Sequence, residues 1–358
     1  MAADIHSLKV ACHNTSTSNF LDVVNGVYFI DKTLLIEDLL TELNKRKSPK
    51  KQRYIKLLAP RKFGKSTNLN MIRRFFQIPV GENGNLLNVN SSLNFQVFAN
   101  NNLNIFRRKE LFIKYFGTYP VIFIDLKDLI NITSFEDLLV RLRYVINTSF
   151  NEHKYLLQIN SLWAEHFHKD SFSLYFNPNK TNLHQYSISC SFSVLSNILH
   201  HYFKKKVMIL IDDFDSFEDS VACKNEKEKN KVNTFMGILF SDILLYNKHL
   251  FRAVLSGSVN LGRLYLKKVS NSEKPYIDIA DETERYSHSL WKYYGISRAE
   301  LRHILQRFMN ETEKITEAED KILSSSGCNN GSYNEASHPC SVWSVMQYFS
   351  KLKPQTKI

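Results

Sequence analysis

The stretch from Tyr54 to Phe76, YIKLLAPRKFGKSTNLNMIRRFF, constrains this chain more than any other. A short apolar strand runs into a tight loop that closes on Gly64-Lys65-Ser66, and an amphipathic helix follows. This is the layout of a nucleotide-phosphate cradle, in which loop N–H groups and the positive end of the helix dipole face one space. Lys65 would reach the outer phosphates of ATP, and Ser66 would place its hydroxyl on Mg²⁺. Arg61, Lys62, Phe63, Gly64 and Thr67 complete the predicted nucleotide-binding set. The motif is imperfect: Ala59 stands five residues before Gly64, where the full pattern has Gly, and Pro60 has no N–H to offer. Gly-Lys-Ser also opens ordinary helices, so the other strands must decide.

Lys206 onward, KVMILIDDFD, reads as a buried strand ending in adjacent acids. That places Asp212 at the carboxyl end of a central parallel strand, where open α/β sheets bind ligands. Asp212 could hold the Mg²⁺ that touches the phosphates, and Asp213 could orient or deprotonate a water; alternatively the acids begin a turn. Tyr119–Asp128 is another apolar run ending in a carboxylate. Phe251–Gly257 reads as a fourth strand, closing on Ser256-Gly257-Ser258, with Ser256 set to sense the terminal phosphate. Strands alternating with helices, including one expected over 231–247, predict an α/β fold with a mostly parallel central sheet flanked by helices.

The first 20 residues are polar and predict a loose leader, followed by a leucine-patterned helix with Thr33 as its cap. Gly81–Asn104 is asparagine-rich and predicts an irregular surface excursion. Ser134 is expected to cap another helix. Glu165, His166 and His168 lack a supporting cluster and read as surface residues rather than metal ligands. From Asn271 the chain is more helical and polar, with an amphipathic helix over Ile296–Met309 opened by Ser297. The expected division is a leader over 1–27, a nucleotide-binding core over 28–270 and a helical lid or partner region over 271–358.

At 358 residues the chain can bury a large core. Its net charge of +12 favours polyanionic partners through counterion release. The densest basic run is Lys45-Arg46-Lys47 with Lys50, Lys51 and Arg53, readable as a solvated loop, an import signal or a nucleic-acid patch. Five cysteines without CxxC pairs read as reduced thiols, and no run reaches the ~18 apolar residues of a membrane span. These features, with no apolar leader in the sequence, predict an intracellular protein, cytoplasmic or nuclear.

Taken in order, YFIDKTLLIEDLL, APRKFGKSTNLNMIRRFF, YPVIFIDLKD, VMILIDDFDSF, VLSGSVNLGRL, YYGISRAELRHIL and GCNNGSY…PCSVWSVMQYF resemble the blocks of the AAA-ATPase-like family. Its members are P-loop NTPases whose loop typically reads RPRRFGKS and whose acidic strand reads IDEYD. The resemblance spans about Tyr28 to Phe349 and implies an additional-strand P-loop core, ATP and Mg²⁺. It assigns Lys65 and Ser66 to phosphate and magnesium, Asp212 to the acidic strand, Asp213 to the catalytic acid and Ser256 to the sensor. Asp213 departs from the family's usual Glu, Ala59 from its Arg, and GCNNGSY lacks an aromatic opening. Relatives often carry a nuclease domain with a D…ExK centre; Glu226-Lys227-Glu228-Lys229 reads instead as a solvated charge run.

The sequence therefore predicts an ATP-binding protein, a slow Mg-dependent ATPase used as a nucleotide-state switch, with Arg263 and Arg285 as candidate arginine fingers and a protein partner or homo-oligomer open. Its rivals are a catalytically inactive nucleotide-binding module and a basic nucleic-acid-binding protein with a vestigial nucleotide site.

Overall fold

The computed structural model describes residues 18–26, 29–45, 53–163, 167–178, 183–217, 225–258, 290–325 and 339–351. Its centre is a four-stranded, all-parallel sheet in the order β1-β4-β3-β2. The strands are β1 Tyr54–Leu58, β2 Val121–Asp125, β3 Val207–Asp212 and β4 Leu250–Gly257. All six residues of β3 are buried, as expected for an unbroken apolar run covered on both faces. The strand order puts β4 between the strand leading to the loop and the acidic strand, the additional-strand arrangement that the resemblance implies.

The helices, in chain order, are α1 Phe20–Val24, α2 Leu35–Lys45, α3 Lys65–Phe76, α4 Leu93–Asn100, α5 Lys109–Tyr115, α6 Phe135–Asn151, α7 Gln185–Phe203, α8 Glu226–Ser241, α9 Arg298–Gln306, α10 Thr312–Ser325 and α11 Val342–Lys351, with shorter turns between. One apolar layer joins α3, α2 and the phenylalanines of α4 and α5 to one face of the sheet; the other joins α6, α7 and α8 to the opposite face. A third, smaller cluster is built from α9, α10 and α11. There Arg302 pairs bidentately with Glu319, a fully buried carboxylate, at 2.9 and 3.0 Å.

Local signals in the sequence mostly held. Ser134 caps α6 by accepting from the Asp137 N–H, and Ser297 with Glu300 forms a reciprocal capping box on α9. Thr33 does not cap: its hydroxyl donates to Asp31 and accepts from the Ile105 N–H, so it ties the chain to a distant turn. Part of the expected leader is ordered, since α1 buries Phe20 and Val24 against the core. Gly81–Asn104 is not wholly irregular: Ser92 caps α4, whose Phe98 is buried, because a Ser cap and a few phenylalanines suffice where a core receives them. The helix expected over 231–247 begins earlier, at Glu226, and ends at Ser241 in a π-helical turn over Asp242–Tyr246.

Candidate functional site

The site lies at the carboxyl ends of the parallel strands, on the loop between β1 and α3. Gly64 precedes α3 with φ 85° and has no side chain with which to cap the helix. The first N–H groups of α3 therefore face a cleft rather than a capping oxygen. Lys62 also has positive φ, 70°, which gives the loop its sharp return. The Lys65 ammonium is buried and donates to the carbonyl oxygens of Ala59 (2.9 Å) and Pro60 (3.1 Å). Pro60 thus contributes an acceptor where its missing N–H looked like a defect.

The carboxylates converge on that lysine. Burial lowers the Lys65 pKa, while Asp213, Asp215 and Asp212 pull it upward. Asp212, nearly inaccessible, has its pKa raised by burial and by Asp213 and Asp125, and lowered by the hydroxyls of Ser66 and Ser256. Ser256 is itself buried beside Asp212, its Oγ without a hydrogen bond of full geometry. Asp213 has φ 47°, and burial raises its pKa against the pull of Lys65. Asp215 is buried and accepts from the Ser258 N–H at 2.6 Å. A Cβ on Gly257 would lie 2.5 Å from the Phe214 ring and 2.8 Å from the Asp215 carboxylate, so the small residue lets this acidic turn approach the end of β4.

A cleft of 390 Å³ gathers Arg61, Lys62, Gly64, Lys65, Ser66, Thr67 and Asp213. Phe63 lines the neighbouring apolar cavity instead, and Asp212 and Ser256 are buried and do not line the cleft. Lys127 also lines it, held by its ion pair with Asp125 at 2.8 Å. The sequence reading missed Lys127; its only signal is its position just past an acid-ending strand. A second, apolar cavity of 330 Å³ opens beside the first, lined by Phe29, Ile30, Met71, Tyr293, Ile296 and Val342, and the two share Gly64 and Thr67. Arg263, Arg285, most of the basic run at 45–53 and the segment GCNNGSY lie outside the described residues.

The C-terminal helices reach the loop directly. The Gly295 N–H donates to the Phe63 carbonyl at 2.9 Å, and the Lys62 ammonium lies 4.6 Å from the centre of the Trp343 ring. The Asn68 side chain donates to the Tyr293 carbonyl at 3.0 Å.

A parallel sheet with a fourth strand between the loop strand and the acidic strand, and a Gly-Lys-Ser loop opening a helix at its carboxyl edge, defines a P-loop NTPase-like α/β fold. The family described as Predicted AAA-ATPase matches residues 15–264, more than half of the chain. The chain belongs to this AAA-ATPase-like family, which suggests nucleotide binding. No curated protein and no solved structure matches it. Among the described residues no helix is long and apolar enough to cross a membrane, and no group of three His, Cys, Asp or Glu side chains is set to enclose a metal.

Proposed function

We propose that the chain binds ATP with Mg²⁺ at the β1–α3 loop and hydrolyses it slowly, using nucleotide state as a conformational switch. The observation carrying this reading is the junction at Gly64 and Thr67, where a cationic cleft suited to phosphates meets an apolar cavity suited to a base. A triphosphate in the cleft would accept from the first N–H groups of α3 and from Lys65, with Arg61 and Lys62 at its edge. Ser66 and Asp212 are adjacent hard oxygens, and burial, with Asp213 and Asp125 nearby, raises the pKa of Asp212. That donor set fits Mg²⁺, which takes one or two protein ligands and completes its shell with phosphate and water. Bound there, the ion would neutralise charge developing on the phosphates.

Asp213 is the group we assign to the attacking water, because it lines the cleft beside Lys65. Ser256, whose hydroxyl bears on Asp212, would report the terminal phosphate to β4. The residues from about 271 to 358 would act as a lid: Ile296 and Val342 line the base cavity, and Gly295 and Trp343 contact the loop itself. Calorimetric titration with ATP, with and without Mg²⁺, followed by a phosphate-release assay, tests the proposal. Absence of ATP binding sinks it, whereas binding without release favours the catalytically inactive module.

A further inference from the structure

The opposite end of the sheet carries a second set of positive charge. Arg53, Lys206 and Lys248 precede β1, β3 and β4, and Arg252 lies at the start of β4. The Val207 N–H donates to the His249 carbonyl and the Ala253 N–H to the Arg53 carbonyl, so these strand entrances are direct neighbours. With strands about 4.8 Å apart, the starts of β1, β4 and β3 fall within about 10 Å. Lys204 and Lys205 add to the same edge from the end of α7.

Among the described residues this charge has no acidic partner. Lys204, Lys205, Lys206 and Lys248 are exposed, and none meets a carboxylate among the described residues. Arg53 donates to the carbonyls of Leu245 and Asn247, and Arg252 to that of Phe251. Burial, and after it the like charge of Arg252, lowers the pKa of Arg53. His249 packs at a tilt on His200, ring centres 4.6 Å apart, and burial, followed by His200, His201, Lys206 and Lys248, lowers its pKa. The nearest preceding carboxylate, Asp242, has its Oδ2 buried. Six cations and a histidine pair with no paired acid among the described residues give this edge a positive field that attracts polyanions.

Beside them stands a column of rings. Tyr119 stacks on Phe251 at 4.1 Å with planes 15° apart, Tyr115 continues the stack at 6.4 Å, and the Arg252 guanidinium lies 5.1 Å from the Phe251 ring. These rings are partly buried, with Phe76 edge-on beneath Tyr115 and Tyr119; aromatic rings beside cations are what a single nucleic-acid strand meets on its binding platforms, with phosphates on the ammonium groups and bases against aromatic side chains. A membrane surface would need the charge but not the column. We propose that the strand-entrance edge, built on Lys204, Lys205, Lys206, Lys248, Arg252 and Tyr115, binds single-stranded nucleic acid without sequence preference. It lies at the end of the sheet remote from the ATP cleft and stands independently of that reading.

The test is fluorescence anisotropy with a labelled oligonucleotide of about 20 nucleotides, as DNA and as RNA, titrated with the full chain between about 50 and about 200 mM salt. Wild type should bind one or both strands, the tighter identifying the natural source. The variant Lys204→Ala/Lys205→Ala/Lys206→Ala/Lys248→Ala should bind at least about tenfold more weakly, with its salt slope reduced by about 3. Tyr115→Leu should weaken binding about fivefold or more with an unchanged salt slope. ATP titration and thermal unfolding of both variants should match wild type, which excludes misfolding. No binding at the lowest salt, wild-type affinity in the quadruple variant, wild-type affinity in Tyr115→Leu, or equal capture of duplex or phosphatidylserine vesicles would each overturn the proposal.

Discussion

Lys65 and Ala59 close the two ends of the candidate phosphate loop on each other, the ammonium donating to the carbonyl at 2.9 Å. A triphosphate would draw that ammonium away from the carbonyls of Ala59 and Pro60 toward phosphate oxygens, a stronger, charge-assisted contact. Lys65→Ala is therefore expected to weaken ATP binding by at least about tenfold, about 1.4 kcal/mol, with the thermal midpoint little changed. Calorimetric titration of both proteins checks it, and equal affinities would refute the cradle assignment.

Asp213 stands where relatives usually carry Glu, and its backbone has φ 47°. Asp and Asn tolerate that region better than a longer side chain. Asp213→Asn should keep the fold and ATP affinity while lowering turnover by about a hundredfold or more, the scale expected from losing a positioned group. Asp213→Glu reaches further toward a water, so it should raise kcat while lowering stability by about 1 kcal/mol through backbone strain. Phosphate release and thermal unfolding, measured on the same preparations, separate the two effects; a wild-type rate in both variants would move the role to Asp215 or Asp125.

Gly295 has φ 67°, and a Cβ there would lie 2.7 Å from both the Cys340 carbonyl oxygen and the Phe63 ring. Backbone conformation and close approach both demand glycine at this position. Gly295→Ala should therefore destabilise the protein by about 1 to 3 kcal/mol and weaken ATP binding, because it separates the C-terminal helices from the loop they contact. Chemical unfolding and ATP titration report the two consequences, and unchanged values in both would dismiss the proposed lid.

His153 is buried behind β2 with its Nδ1 3.3 Å from the Tyr155 hydroxyl. Burial, aided by the neighbouring Arg73 charge, pushes its pKa down from 6.5 to about 3. Between those values the unfolded chain binds a proton that the folded chain refuses, so stability falls as pH drops below 6.5 and continues to fall until about pH 3. From pH 7 to pH 5 this residue alone should remove about 2 kcal/mol. Denaturant unfolding at both pH values should show His153→Gln losing about that much less than wild type; equal losses would mean that His153 is protonated in the folded protein.

The sequence by itself determined the architecture. Apolar runs in β1, β2, β3 and β4 can only be satisfied by burial, and the helices between them impose parallel pairing, so alternation was enough to read the sheet. Capping by Ser134 and Ser297 was legible for a similar reason, because a cap is a bond between residues three apart. Tertiary structure alone decided what depends on distant segments meeting. Thr33 bonds Ile105 across 72 residues, Phe63 holds Gly295, and Lys127 enters the cleft only because Asp125 ends a strand beside Asp212. The basic run at 45–53 was conspicuous because its charges are contiguous. The cations at the strand entrances were not, since parallel strands bring together residues that the chain keeps about 40 to 200 positions apart, and only the folded sheet sums their charge.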